Sequence, residues 1–410
     1  TRHPLMLYRT HLIGALRERR DHFIDFERVL RGEVGELSAR LRALAGETAR
    51  EVRRKSGAVA ARVAYPSDEL ESAGGPVVPF KERWRSHEEA RRWALGALKG
   101  RTTFAADGSQ IFPGREASVP VAAVQVASFE NPHTPEGRYT KDVRFEVLAP
   151  DELLARAGDY ESPEQVVALR RFELEARAVC DFLERRSGWR GRGERAPLAF
   201  FDNTLLVASL RKGTDRHLSQ RMADALARLI ITSRETEVPV VGYVDHSYAH
   251  DVAGLLAALH RDLPESNVYD AQILRAPARG TAAPPLAKWG VRTVVWHCQR
   301  PNLADVFFDE RGAPLVGFLY LQTTADGQPA RLDIPAWVHE AGLTEEVADA
   351  VRAECVVGNG YPYAIEAADQ AALMSGRDRE QFLRAVQDFA AEHRLDFHIS
   401  HKALSKGRRR

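Results

Sequence analysis

The chain has 410 residues, 44% of them hydrophobic and 28% charged, values that suit a folded globular protein and exclude a fibre or a chain disordered throughout. Its 58 basic and 57 acidic residues leave a formal net charge of +1, so a nucleic-acid surface has to come from local clustering and not from bulk charge. Cys180, Cys298 and Cys355 stand too far apart for a zinc knuckle or redox dithiol and suit a reduced, cytoplasmic setting. No apolar run reaches the roughly 20 residues of a membrane span, and Thr1-Arg2-His3-Pro4 lacks a secretory core, so a soluble, unexported protein is expected.

Residues 5–64 read as helical. Leu12, Leu16, Phe23, Phe26, Val29, Leu30, Val34, Leu37, Leu41 and Leu44 recur at threes and fours among arginines and glutamates. Such a narrow stripe on a charged helix predicts a coiled-coil-like partner, between subunits or within a hairpin. Tyr65 to Pro79 is a proline- and glycine-rich connector, followed by a helix from Glu82 to Leu98. The domain reading is therefore a helical region over 1–98, a main domain over 99–400 and a basic tail over 401–410.

Thr102 to Gln110 then reads as a strand delivering the Asp107 carboxylate at its end, with Gly108 making a sharp turn. Val119 to Phe129 is a second buried strand and Arg138 to Leu148 a third, hairpin-linked one. Pro163 to Arg186 is a helix whose apolar stripe has Glu173 at its edge and Glu175 further round toward solvent. Gly188 to Gly193 is a basic loop with one tryptophan, able to touch phosphate and stack on a base.

The acid-ended strand returns as Pro197 to Asp202, followed by Asn203-Thr204, then by a helix over Leu218 to Ser233 and a strand over Val238 to Asp245. Strand, helix, strand argues for a mixed α/β sheet with a parallel crossover, and Asp107, Asp202 and Asp245 fall at the carboxyl ends where ligands gather. His246 and His250 have metal-like spacing without the glutamate of a zinc protease, and His393, His398 and His401 read as exposed.

Residues 264–314 are loops with a short element at Arg292 to Cys298. Phe318 to Thr323 and Ala330 to Pro335 are strands around Asp326-Gly327. Helices over Glu345 to Val356, Ile365 to Met374 (carrying Asp369) and Arg379 to His393 close the chain. No nucleotide-triphosphate loop or dinucleotide fingerprint occurs, so any ATPase partner is another chain.

Strand-end acids joined by a helix acid and one more near the C-terminus are what a two-metal phosphoryl-transfer site requires. Two cations about 3.5–4 Å apart clamp the attacking and leaving oxygens, and oxygen ligands favour Mg²⁺ or Mn²⁺ over zinc. The residues Ala106-Asp107-Gly108-Ser109-Gln110, the helix Arg170 to Ala176, Phe201 to Leu205, Pro329 to Val338 and Gly360-Tyr361-Pro362-Tyr363 come in an order that resembles the NurA nuclease family, from about residue 100 to 375.

That resemblance implies a ribonuclease-H-like mixed sheet flanked by helices. It implies a Mn²⁺- or Mg²⁺-dependent deoxyribonuclease with two ions, acting as 5′-to-3′ exonuclease and single-strand endonuclease. It further implies a homodimer that processes DNA ends with a hexameric HerA-type translocase. Carried over by position, Asp107 and Asp202 match the metal-binding strand acids and Tyr361 the C-terminal tyrosine. Either Glu173 or Glu175 matches the helix acid, and the stripe favours Glu173.

Two departures are visible. The second strand reads Asp-Asn-Thr in place of Asp-Gly-Ser, and Asp369 stands where a histidine is usual, which removes the same proton donor. Arg115, Arg211, Lys212 and Arg331 are candidates for gripping the DNA backbone. The competing readings are a catalytically silent DNA-binding or translocase-adaptor subunit and a phosphohydrolase acting on a small ester.

Overall fold

The computed structural model describes residues 8–56, 64–114, 117–154, 162–207, 216–260, 267–277, 283–300 and 303–398. The chain runs through α1 (Arg9–Glu18), α2 (Arg20–Arg42), α3 (Ala49–Ser56), β1 (Tyr65–Pro66), α4 (Glu69–Ala73), β2 (Val77–Val78) and α5 (His87–Leu98). Next come β3 (Thr103–Ile111), β4 (Ala122–Asn131), β5 (Thr140–Leu148), α6 (Pro150–Leu153), α7 (Pro163–Arg186), β6 (Leu198–Phe201), α8 (Arg216–Thr236) and β7 (Val240–Val244). The last part holds α9 (Asp251–Leu259), α10 (Asp270–Arg275), β8 (Arg292–Thr293), β9 (Trp296–His297), β10 (Val316–Leu321) and β11 (Ala330–Pro335). It ends with α11 (Ala336–Glu340), α12 (Thr344–Val357), α13 (Tyr363–Ala372) and α14 (Gly376–Glu392).

All strands join one sheet, in the order β1-β9-β10-β11-β7-β6-β3-β4-β5, with β2 and β8 attached beside β10. Among the described residues only β3 with β6 and β6 with β7 pair in parallel; β3, β4 and β5 form an antiparallel meander. The sequence makes the centre of this sheet a buried one, because β6, β10 and β11 are buried at every position and need helices on both faces, whereas the edge strand β5 is mostly exposed. This is the ribonuclease-H-like mixed sheet flanked by helices that the resemblance implies.

The two faces follow from alternation along the strands. Phe104, Ala106 and Phe201 pack toward α7 and α8, with Phe104 stacked on Phe182 at 4.5 Å. Ala105 and Phe200 pack on the other side with Val351, Ile365 and Ala368 of α12 and α13. Helix α7 is well specified locally: Ser162 and Gln165 form a capping box, Pro163 opens the first turn, and Val167, Phe172, Val179 and Leu183 bury one stripe.

The strand carrying Asp107 does not end there. β3 continues through Gly108 to Ile111, paired with β4 throughout, so Gly108 makes no turn. What ends is the parallel neighbour: β6 stops at Phe201, opposite Ala106, and Asp107 lies one residue beyond that last pair. The N-terminal helices divide in the same concrete way. α1 buries nothing and Leu12, Phe23, Phe26 and Val29 are exposed, whereas Val34, Leu37 and Leu41 of α2 enter the main core and Ser38 bonds the Ala276 carbonyl at 2.9 Å.

Candidate active site

The register β3–β6 sets the first two acids side by side: with Ala106 opposite Phe201, the next residues are Asp107 and Asp202. Along β3, Asp107 shares its face with Ala105 and so points to the α12 and α13 side, while Gly108 faces α7. The Tyr361 hydroxyl, from the turn between α12 and α13, donates to Asp202 Oδ1 at 2.7 Å, and its ring packs edge-on against Tyr243. Asp369, on α13, is a neighbour whose charge acts on Asp107.

From the opposite face α7 brings Glu175. A Cβ added at Gly108 would stand 2.6 Å from Glu175 Oε1 and 2.6 Å from Arg171 Cγ, so the bare glycine backbone is what lets the helix approach. Arg171 uses that approach, donating from Nη1 to the Gly108 carbonyl at 3.0 Å with its Nε 3.5 Å from Glu175 Oε1. Glu175 is 8% exposed, and its Oε1 is buried without a hydrogen-bond partner, as is Arg171 Nε.

Crowding like charges at a half-dry strand junction raises their proton affinity. Burial pushes Asp107 up to about 6, helped by the Asp202 and Asp369 charges and opposed by the Gly108 N–H. Burial pushes Glu175 up to about 7, with Arg171 opposing and Asp107 and Asp202 adding to the rise. Asp202 rises through burial too, offset by the Tyr361 hydrogen bond; as an exposed residue it is the one most screened by water. Asp245, paired with His246 at 2.7 Å, adds its charge from the rim. Among the described residues no three His, Cys, Asp or Glu side chains already close on one point as a finished metal cage. The acids stand around the strand junction instead, in two groups that approach from its two faces.

Several expectations need correcting. Glu173 does not join the strand acids: its carboxylate takes paired hydrogen bonds from Arg221 of α8 at 2.9 and 2.8 Å, in the groove between α7 and α8. The stripe argument failed because α7 is covered on two sides, by the sheet and by α8, so the residue read as solvent-facing is the buried one. Arg331 cannot grip DNA, since it is 2% exposed and its guanidinium is bonded to Asp251 and Asp333. Arg115, Arg211 and Lys212 lie outside the described residues. His246 and His250 serve different partners, His250 Nδ1 lying 2.8 Å from the Val268 carbonyl oxygen. Sequence reasoning passed over Arg171, although its i,i+4 spacing from Glu175 was a readable signal.

The sequence matches the family model described as the NurA domain over residues 101–373. The chain belongs to the NurA family. This is a family of nucleases, and the matched span opens just before β3 and closes just after α13, so it encloses Asp107, Glu175, Asp202, Tyr361 and Asp369. Among solved structures the NurA-family chain is similar to a NurA crystallised with manganese, at 11% identity over 78% of this chain and 95% of that one, TM-score 0.39. A second NurA crystal structure matches at 10% identity over 74% and 94%, TM-score 0.38. The catalytic domain of human endonuclease V matches at 15% identity over 82% and 97%, TM-score 0.30. No curated protein sequence matches the chain closely enough for comparison.

Proposed function

We propose that this NurA-family chain is a divalent-metal-dependent deoxyribonuclease that hydrolyses phosphodiesters at the junction of β3 and β6. The observation that carries the reading is the juxtaposition of Asp107 with Asp202, with Asp369 beside Asp107 and the Glu175 carboxylate, paired with Arg171, arriving through the gap at Gly108. Glu175 Oε1 has only the ion pair with Arg171 at 3.5 Å and no hydrogen bond, and the acids around it have pKa values forced upward, so negative charge outweighs positive charge at the junction. Oxygen-only donors fit Mg²⁺ or Mn²⁺, and the proposed chemistry uses two such ions. Asp107, Asp202 and Glu175 would hold them, with Asp369 as the fourth acid; Glu173 is given up as a ligand.

The chemistry that such cations supply is a water nucleophile at neutral pH and neutralisation of charge on the phosphate oxygens. The chain's own groups do the rest. Tyr361 donates a hydrogen bond that steadies the Asp202 carboxylate and offsets part of its burial-driven rise in proton affinity. Arg171 offsets the local negative charge that would otherwise repel a DNA backbone. Asp369 does not replace a histidine proton donor, so proton delivery to the leaving oxygen falls to water or Tyr361.

The family supports a role in DNA end processing, with 5′-to-3′ exonuclease and single-strand endonuclease action and a HerA-type translocase as partner. The uncovered apolar face of Leu12, Phe23, Phe26 and Val29 suits a homodimer contact. Among the described residues no helix is long and apolar enough to cross a membrane.

The test is cleavage of labelled single- and double-stranded DNA with Mn²⁺, Mg²⁺ or chelator, set against Asp107→Ala, Asp202→Ala and Glu175→Gln. Each substitution is expected to cut turnover by at least about a hundredfold, on the scale of losing a principal charge-stabilising group. Glu173→Gln should leave metal dependence intact. Degradation that survives both aspartate changes would overturn the site; DNA binding without turnover under any metal would favour the silent subunit.

A further inference from the structure

Asp202 sits on a bend, not on a strand, so something must fix the bend. In the sheet, Phe201, Gly242 and Asp333 lie in one row across β6, β7 and β11. The chain from Asn203 to Leu205 folds back over Gly242, where an added Cβ would be 2.7 Å from the Asn203 carbonyl oxygen and 3.1 Å from the Leu205 nitrogen. Asp333 reaches this segment from below. Its Oδ2 accepts from Thr204 Oγ1 at 2.5 Å and from the Leu205 N–H at 3.1 Å.

The other oxygen is tied down in turn. Arg331 Nε donates to Asp333 Oδ1 at 2.7 Å, and Arg331 Nη1 to Asp251 Oδ2 at 2.6 Å; Arg300 Nε reaches Asp251 Oδ1 at 2.6 Å. Asp333, Arg331 and Asp251 are 0%, 2% and 5% exposed. A buried ion network of this kind costs desolvation and is often no more stable than an apolar replacement, so its use is to impose one geometry. The geometry imposed is that of the segment immediately after Asp202.

We propose that Asp333, clamped by Arg331, is a positioning residue that holds the Asp202 bend through Thr204 and Leu205, so that the Asp202 carboxylate is set for a divalent cation. The inference rests on the metal-dependent reading above. It gives Arg331 an internal role in place of a DNA contact and makes Gly242 the seat over which the bend passes. It also gives the Thr204 hydroxyl a defined partner.

The experiment compares wild type with Thr204→Val, Thr204→Ser and Asp333→Asn by three measurements: amide hydrogen exchange over residues 202–207, direct titration of Mn²⁺ binding, and thermal melting. Thr204→Val is expected to speed exchange at Leu205 and to raise the Mn²⁺ concentration for half occupancy on the order of tenfold, as loss of a supporting partner does at metal sites. Thr204→Ser should restore both values. Asp333→Asn should act in the same direction, and because it disturbs a buried ion pair, its melting temperature decides whether its result is read.

Unchanged Mn²⁺ affinity in a folded Thr204→Val with a loosened bend, or an unloosened bend, would overturn the proposal. Wild-type Mn²⁺ binding that Asp107→Ala leaves untouched would overturn the underlying metal reading and the proposal with it.

Discussion

Asp107 and Glu175 have opposite reasons for being where they are, and Gly108 joins them. Asp107 is set by strand register, while Glu175 depends on a close approach of helix to strand that any side chain at 108 would block. Gly108→Ala should therefore damage the site more than the fold. The new methyl meets Arg171 Cγ and Glu175 Oε1, whose displacement costs about 1–3 kcal/mol as overpacking does. The expected result is a small drop in denaturation midpoint with loss of most DNA cleavage; full activity would show that Glu175 is not needed at that spot. Asp107 and Asp202 were visible in the sequence because an acid closing an apolar run and followed by a small residue, Gly108 or Asn203, occurs twice. The choice of Glu175 over Glu173 was not, since a helical stripe shows which side is apolar but not which neighbour covers its flanks.

At the level of elements, one buried acid couples the three segments that frame the site. Glu354 of α12 is 1% exposed, accepts from Thr103 Oγ1 of β3 at 2.8 Å and from the Ala364 N–H at the start of α13 at 2.9 Å, and has His133 Nε2 at 3.6 Å. It ties the strand of Asp107 to the helix of Asp369. Burial raises its pKa, so the neutral isostere should be the better tolerated change. Glu354→Ala, which orphans two buried donors, is expected to cost about 2–4 kcal/mol in urea unfolding. Glu354→Gln should cost well under half of that, and equal losses would mean that packing and not hydrogen bonding sets the effect. The elements themselves were largely readable: α7, α8, β6, β7, β10 and β11 follow from periodicity. β3 was misjudged at its end, because Asp-Gly reads as a turn unless the partner β4 is known to run on beside it.

For the whole molecule, the acid cluster makes stability depend on pH and cation together. Asp107 and Glu175 have folded pKa values of about 6 and about 7, above their ordinary values of 3.8 and 4.5. Groups raised in this way bind protons more tightly in the folded chain. Their contribution is present below the unfolded values and is lost as pH rises through the folded ones, between about 4 and 7. A bound divalent cation reverses this by favouring the ionised acids. The rise in melting temperature on adding Mn²⁺ should therefore be clearly larger at pH 8 than at pH 5.5, and Glu175→Gln should stabilise the cation-free protein at pH 8. A Mn²⁺ shift that does not change with pH would contradict the placement of these acids together.

What the sequence determined by itself is the repertoire: a mixed α/β chain, the family, two strand acids, a helix acid within two residues, and a tyrosine and an acid near the end. These are legible because alternation, helical period and short motifs are local properties of the chain. What only the tertiary structure decided is partnership. The β3–β6 register placed Asp107 beside Asp202, α8 took Glu173 out of the site, and the interior took Arg331 from a surface cation to the clamp behind Asp202. Asp107 meets Asp202 across the sheet, Glu173 meets Arg221 between two helices, and Arg331 is turned inward to Asp333 and the distant Asp251; no local period records which partner a charge will find once the chain is packed.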